Sequence, residues 1–222
     1  FVLFTSKNGL RNFQKIEDKK KIFVIGDGTF NLAKKIGYAN VINIKGDSND
    51  LKKKGVTLPK EGDYGVGVFF LPKISKYSKN CINLIEKQIR NNNLEIIYIR
   101  KVPTNSKILS PTMRKSEPHI FQIFIKSKKE GLEKEKLYRK LFVLGKLITN
   151  EINLLIKQEE TYKSFYISSL SNRTIVYKGM LLSDLVRKYF PDLSSKNFVS
   201  SFSLIHQRFS TNTFPSWDLA QP

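Results

Sequence analysis

The longest regular pattern in the sequence is an apolar stripe between residues 130 and 157. Leucines and isoleucines recur there at helical spacing with lysines between them, at Leu132, Leu137, Leu141, Leu144, Leu147, Ile148, Ile152 and Leu155. Residues three and four apart lie on one face of an α-helix, so this spacing predicts a long amphipathic helix. We expect its apolar stripe to belong to the core of the protein, packed against a second layer of structure.

Shorter segments on both sides of this helix have the patterns of strands and helices. Residues 61–72 alternate small and apolar residues and end at a proline, which predicts a buried strand whose glycines allow another group to approach closely. The other predicted elements are strands over 1–4, 21–25, 94–99 and the second half of 114–125, a helix over 78–91, a hairpin of strands over 164–170 and 173–178, a helix over 182–189 and a strand over 198–205. Antiparallel hairpins with helices packed outside predict an α+β layered fold. Because no repeat or linker interrupts the pattern, we expect one domain over residues 1–222.

Composition places the chain among globular proteins of a reducing compartment. It has 222 residues, 40% of them apolar, and a single cysteine, Cys81, which excludes a disulfide framework. Cys81 lies in a helix-like apolar pattern, so we expect a buried thiol rather than a nucleophile. No run is long enough for a membrane span and no leader opens the chain, which predicts a cytoplasmic protein without membrane contact. The first residue is Phe1, as expected for a processed or truncated piece.

The net charge of +20 raises the possibility of a nucleic acid partner. Of the 39 basic residues, 31 are lysines, and they are spread along the chain rather than gathered in one stripe. Lysine, asparagine and isoleucine share A/T-rich codons, so genome composition explains the excess more simply. We therefore expect no nucleic acid partner and keep a basic α+β nucleic-acid-binding module as the alternative.

The sequence gives little support for a metal-binding site or for a pair of catalytic carboxylates. His119 and His206 are the only histidines, and no cysteine pair or carboxylate cluster lies near either. The acids Glu117, Asp63 and Asp218 are scattered, unlike the paired carboxylates of a glycosidase. We predict no metal site.

The segment from His206 to Pro222 is the most distinctive part of the chain. Arg208 offers a planar donor fork suited to a carboxylate, and residues 210–213 supply short hydroxyl and amide groups around it. Trp217 offers an apolar wall to a small polar ligand. The pattern alone slightly favours a structural ion pair at Arg208 and ordinary packing of Trp217, since single arginines at strand ends are common.

This segment resembles the signature of the glutaminase domain of glutamate synthases, which are class II, N-terminal-nucleophile glutamine amidotransferases. Residues 61–72, 114–118 and 169–179 are similar to further segments of that family, and residues 26–28 carry a Gly-Asp-Gly found in roughly the same place. The resemblance covers residues 61–222 well and residues 1–60 poorly. It implies the four-layer αββα sandwich of N-terminal-nucleophile hydrolases, incomplete at both ends.

The resemblance also implies a chemistry and a set of binding residues. In the family an N-terminal cysteine attacks the side-chain amide of L-glutamine, with its own α-amino group, of pKa about 8, as the base. Here residue 1 is Phe, so no catalytic residue is expected in this chain, and the family's oxyanion segment is expected beyond Pro222. Arg208 matches the residue that holds the glutamine α-carboxylate, and Phe209 and Thr211 match residues that line the substrate pocket.

By the same resemblance, the parent protein is the large subunit of a glutamate synthase. Such an enzyme passes ammonia to 2-oxoglutarate and uses FMN, an iron–sulfur cluster and NADPH or ferredoxin as electron donor. The expected partners are the synthase domains of the same chain and a small reductase subunit. The piece itself is expected to hold no cofactor and to be inactive alone. A degenerate, non-catalytic copy remains a second alternative.

Overall fold

The computed structural model describes residues 2–4, 22–25, 27–38, 41–44, 57–196, 198–200, 202–207 and 214–220. The chain divides into two compact units, one formed by Phe1–Lys54 with Ser195–Leu204 and the other by Gly55–Ser194 with Ile205–Pro222. The expectation of one domain over residues 1–222 stays a prediction.

The smaller unit contains a three-stranded parallel sheet. Its elements are β1 (Val2–Phe4), β2 (Ile22–Ile25), α1 (Asp27–Ile36) and β3 (Val41–Ile44). β2 is the central strand, and α1 connects it to β3, since parallel neighbours require a crossover connection. The strands β1 and β2 were predicted, whereas α1, β3 and the parallel pairing were not.

The larger unit is built around a four-stranded antiparallel sheet. Its strands are β4 (Tyr64–Leu71), β5 (Leu94–Lys101), β6 (His119–Ser127) and β7 (Tyr166–Ser171), in the spatial order β5-β6-β4-β7. Its helices are α2 (Ser75–Asn91), α3 (Pro111–Ser116), α4 (Lys134–Ile156) and α5 (Ser183–Tyr189). Short 3-10 helices follow at Ser106–Ile108, Glu160–Ser164 and Pro191–Ser194. The predicted α+β class is confirmed, while the four-layer sandwich stays a prediction.

The two faces of this sheet carry two separate apolar clusters. Phe69 and Leu71 point to the face covered by α2 and α4, and Val68 and Phe70 point to the opposite face, as the period of two in a strand requires. Gly65 of β4 has no side chain because Leu141 of α4 occupies the space where a Cβ would lie. The predicted close approach at this strand is thus made by the long amphipathic helix.

Two predicted strands are wrong. Residues 173–178 run beside β7 without forming a strand, because serine side chains replace part of the backbone ladder. Ser168 Oγ donates to the carbonyl of Val176 at 3.2 Å, and the Val176 amide donates to Ser169 Oγ at 3.1 Å. The described part of residues 198–205 has no strand either, and Leu204 there is 88% exposed.

Other features of the described residues bear on the sequence predictions. The helix α3 was not predicted, although Ser110 caps it by accepting a hydrogen bond from the amide of Met113 at 3.3 Å and Pro111 occupies its first position. Among the helices in the described part of the chain, none is long and apolar enough to cross a membrane.

Candidate functional site

The three predicted substrate-binding residues, Arg208, Phe209 and Thr211, lie outside the described residues. Their roles therefore stay predictions. The residues that flank them are described: His206 is exposed on one side and Phe214 is 95% exposed on the other. The expectation that this segment follows the end of a β-strand is wrong, because residues 202–207 are not in a strand.

Trp217 fixes the end of the C-terminal segment on the larger unit. Its indole is only 4% exposed and lies in the cluster on the second face of the sheet. The ring meets Phe70 of β4 edge to face, with centroids 6.4 Å apart, and Tyr189 of α5 at 5.5 Å. Gly179 is required beside it, since a Cβ there would lie 2.7 Å from the indole Cζ3 atom. The predicted role of Trp217 as an apolar wall to a ligand is not tested, but its packing is that of an anchor.

A turn and a buried lysine hold the residues around Trp217. Ser216 Oγ donates to the carboxylate of Asp218 at 2.6 Å, and the Ala220 amide donates to the carbonyl of Ser216 at 3.1 Å. Lys178 is only 6% exposed, and its Nζ donates to the carbonyl of Asp218 at 2.8 Å. Burial lowers the pKa of Lys178, and the charge of Asp218 offsets part of that shift.

A closed network of hydrogen bonds supports the residue before Lys178. The hydroxyl of Tyr177 donates to Asp192 at 2.8 Å and accepts from Gln122 Nε2 at 3.0 Å. Arg100 Nη2 donates to the same Asp192 carboxylate at 2.5 Å, and its Nε donates to Gln122 Oε1 at 2.8 Å. Burial and the nearby Asp192 carboxylate raise the pKa of Tyr177, so its hydroxyl stays protonated as a donor. The network thereby joins β5, β6 and the turn after α5 to residue 177.

Glu117 supports Trp217 indirectly, through Tyr189. This carboxylate is 6% exposed and accepts hydrogen bonds from Tyr189 Oη at 2.7 Å, Ser106 Oγ at 2.7 Å and Lys73 Nζ at 3.3 Å. Burial alone would raise the pKa of Glu117, but these three donors together hold it below its ordinary value. A charged Glu117 therefore orients the Tyr189 ring against which Trp217 packs.

A cleft of about 360 Å³ lies beside Glu117. His119, Lys73, Lys101 and Arg114 are among the residues that line it. Burial, followed by the charges of Lys101 and Lys73, lowers the pKa of His119, so the imidazole is predominantly neutral at pH 7. Within the described ranges, no three His, Cys, Asp or Glu side chains are grouped to hold a metal ion.

Cys81 is confirmed as a buried thiol. Its side chain is fully buried in α2, and burial raises its pKa to about 12, the opposite of what a nucleophilic cysteine requires. An iron–sulfur cluster needs several thiolate ligands. With one cysteine, and that one protonated inside the core, the residues of this chain do not fit such a cluster.

Sequence reasoning missed the residues that support the C-terminal segment. Lys178 and Tyr177 were assigned to the outer strand of a hairpin, and Arg100 and Asp192 were not singled out. The signal was the similarity of residues 169–179 to a family segment, which strand periodicity does not explain. In the folded chain this segment contacts the region around Trp217 through Lys178 and Gly179.

Comparison with known proteins identifies the class to which this α+β unit belongs. Residues 45–222 match the family model described as class-II glutamine amidotransferases. The chain belongs to this family.

The related proteins are more specific in name. The chain is 39% identical over 172 residues to a ferredoxin-dependent glutamate synthase of Pyropia yezoensis, with 78% of this chain and 11% of that protein covered. It is 41% identical over 174 residues to an NADH glutamate synthase of Schizosaccharomyces pombe, with 76% and 8% covered. A ferredoxin-dependent glutamate synthase 2 of Synechocystis is 34% identical over 169 residues, with 76% and 10% covered. The chain thus spans about a tenth of the length of these relatives.

Proposed function

We propose that this chain is part of the amidotransferase domain of a glutamate synthase and binds L-glutamine through the segment that begins at His206. The observation that carries the proposal is the family match over residues 45–222, combined with the anchoring of the C-terminal segment at Trp217. An anchored end suits a substrate-binding segment, because a bound amino acid must be held in a fixed position before its amide can react.

The proposed reaction is hydrolysis of the glutamine side-chain amide. The cysteine thiol gives its proton to the α-amino group of the same residue and adds to the amide carbon. That proton then passes to the leaving nitrogen, ammonia departs, and water cleaves the thioester to give glutamate and regenerate the thiol. Arg208 is proposed to bind the substrate α-carboxylate through two parallel N–H···O bonds, with Phe209 and Thr211 lining the pocket.

The nucleophile of this reaction is not Cys81. A thiol with a pKa of about 12 inside α2 is neither ionised at neutral pH nor accessible to glutamine. Because Cys81 is the only cysteine, we propose that the 222 residues alone do not hydrolyse glutamine. Ammonia release by the purified chain above a buffer blank would show that this proposal is wrong.

In the parent protein, the ammonia is proposed to add to 2-oxoglutarate, and the resulting imine to be reduced to glutamate. FMN, an iron–sulfur cluster and NADPH or ferredoxin would supply the electrons. These groups are proposed to bind to other domains of the same polypeptide or to a small reductase subunit. This chain's contribution is to bind glutamine and to fix its orientation.

Replacement of Arg208 tests the binding role directly. In the full-length protein, Arg208→Lys should raise the glutamine KM by about tenfold or more, because a lysine cannot form the paired hydrogen bonds of a guanidinium. Arg90→Lys is the matched control, since Arg90 lies on the surface of α2 with its side chain 63% exposed. An unchanged glutamine KM in Arg208→Lys would remove this residue from the substrate site.

We propose that the net positive charge does not reflect a nucleic acid partner. The ion pairs of the described basic residues lie on several elements, among them α2, β6, α4 and α5, rather than along one groove. We expect retention of the chain on a heparin column to be lost at moderate salt. Tight, sequence-dependent binding to RNA at physiological salt would instead favour the nucleic-acid-binding alternative.

A further inference from the structure

Lys178 is a buried cation for which the proposed reaction has no use. Its side chain is 6% exposed, and none of the ion pairs found among the described residues includes it. The Nζ atom instead donates to the carbonyl of Asp218 at 2.8 Å and lies 4.0 Å from the centre of the Tyr166 ring. Removing an ammonium group from water is costly, so a lysine in this position needs a compensating role.

The carbonyl that Lys178 binds belongs to the turn at the end of the glutamine-binding segment. Asp218 also accepts the hydroxyl of Ser216, and its neighbour Trp217 is buried against Phe70. Gly179 contacts the Trp217 ring directly. Two consecutive residues, 178 and 179, therefore hold two consecutive residues, 217 and 218.

The lysine is itself held in place from both sides of its backbone. Tyr177, immediately before it, is fixed by hydrogen bonds with Asp192 at 2.8 Å and Gln122 at 3.0 Å. Gly179, immediately after it, leaves room for the indole of Trp217. A lysine between two fixed neighbours can act as a rigid support rather than as a mobile surface charge.

We propose that Lys178 is a positioning residue for glutamine: its ammonium group fixes the Trp217–Asp218 turn, and with it the end of the segment that carries Arg208 and Thr211. This inference rests on the proposed function, since it concerns the same substrate. Lys178 does not contact glutamine and transfers no proton. It acts along the chain, because only five residues separate Thr211 from the Trp217–Asp218 turn that Lys178 holds.

The first test uses the 222-residue chain and does not depend on activity. Trp217 is its only tryptophan, so fluorescence reports on this turn alone. Lys178→Met keeps the apolar stem and removes the donor, and we expect it to raise acrylamide quenching of Trp217 at least about twofold through local opening of the turn. Lys178→Arg should lie between the wild type and Lys178→Met. The control Lys163→Met removes an exposed lysine paired with Glu160 and should leave quenching unchanged.

The second test uses the full-length protein and separates binding from folding. We expect Lys178→Met to raise the glutamine KM by up to about tenfold, with a much smaller change in kcat. The upper limit corresponds to the full loss of the charged hydrogen bond to Asp218 being transmitted to glutamine binding. Lys178→Arg should restore part of this loss. Glutamate formation from added ammonium, which bypasses glutamine, should be unchanged. If Lys178→Met does not fold, the Lys178→Arg comparison alone decides, since it also predicts a raised KM.

Each result supports or overturns the inference. Wild-type quenching and wild-type glutamine KM in both variants would overturn it while leaving the proposed function intact. A parallel loss of glutamine-dependent and ammonium-dependent activity would also overturn it, because it would mark Lys178 as a general structural residue. A wild-type protein that does not use glutamine at all would refute the proposed function itself.

Discussion

Replacing Gly179 by alanine should destabilise the larger unit through one specific contact. The added Cβ would lie 2.7 Å from Trp217 Cζ3 and 3.2 Å from Cε3, closer than packed carbon atoms come. Gly179 is not among the glycines with positive φ, so the backbone tolerates alanine and the cost is steric. Overpacking of a core costs about 1 to 3 kcal/mol. Reduced freedom of the unfolded chain returns about 0.4 to 1 kcal/mol. We therefore expect a net loss of up to about 2.5 kcal/mol in the free energy of unfolding.

A double-mutant cycle assigns this loss to the indole. In a Trp217→Phe background the six-membered ring of the indole, which contains Cζ3 and Cε3, is absent. Gly179→Ala should then cost less than in the wild type by the whole steric penalty, about 1 to 3 kcal/mol, because the unfolded-chain effect is the same in both backgrounds. The change can then become neutral or slightly stabilising. The contact of the new Cβ with Leu181, 3.2 Å away, is present in both backgrounds and cancels from the cycle.

The wild type, the two single variants and the double variant are unfolded in urea, and unfolding is monitored by far-UV circular dichroism. Tryptophan fluorescence cannot be used, because two of the four proteins lack Trp217. Gly145→Ala is the matched control, because its nearest neighbour would lie at an ordinary 3.7 Å and the residue is in the interior of α4. It should stabilise the helix by up to about 1 kcal/mol, equally in both backgrounds. An equal cost of Gly179→Ala with and without the indole would refute the steric explanation.

Three further predictions concern the buried polar groups. Asp192→Asn should destabilise the chain by about 3 kcal/mol in urea unfolding, because it leaves Arg100 without its partner charge; a variant as stable as the wild type would deny the network a role. The folded pKa of Glu117 lies below its ordinary value of 4.5, so its contribution to stability is present above about pH 4.5 and is lost as pH falls through the folded pKa. The free energy of unfolding of Glu117→Gln, measured in urea as a function of pH, should accordingly fall less steeply below that pH than that of the wild type. An equal dependence on pH in the two proteins would contradict this prediction. Cys81, with its pKa raised to about 12, should react with a disulfide reagent at pH 8 only after urea unfolding; fast reaction of the native chain would contradict its burial.

The sequence predicted best what depends on local periodicity. The apolar stripe of α4 follows helical spacing, and Leu141 and Ile148 are fully buried as expected. Leu147 belongs to the same predicted stripe but is 37% exposed, because it lies one position, or about 100° around the helix, from the buried Ile148. Periodicity therefore predicted the existence and direction of the helix better than the edge of its buried face.

The sequence could not predict contacts between distant segments or competition between side chain and backbone. Arg100 and Asp192 are 92 residues apart, and neither lies in a local pattern that indicates a partner. At residues 173–178 the β-branched composition favours a strand, yet Ser169 supplies the acceptor that a strand neighbour would have supplied to Val176. The outcome there depends on the tertiary position of one hydroxyl group, which propensity does not encode.

The same limitation explains why the candidate site was only partly predicted. The residue types of the segment from His206 to Pro222 indicate what it could bind, but not what keeps it in place. Its anchor is supplied by Lys178 and Gly179, about 40 residues earlier, and by Tyr189 and Phe70 on other elements. Neither partner can form the anchor alone: Trp217 needs the space at Gly179, and Lys178 needs the carbonyl of Asp218 to offset its burial. If the segment binds glutamine as proposed, substitutions at residues 178 and 179 should therefore change the glutamine KM without any contact with glutamine.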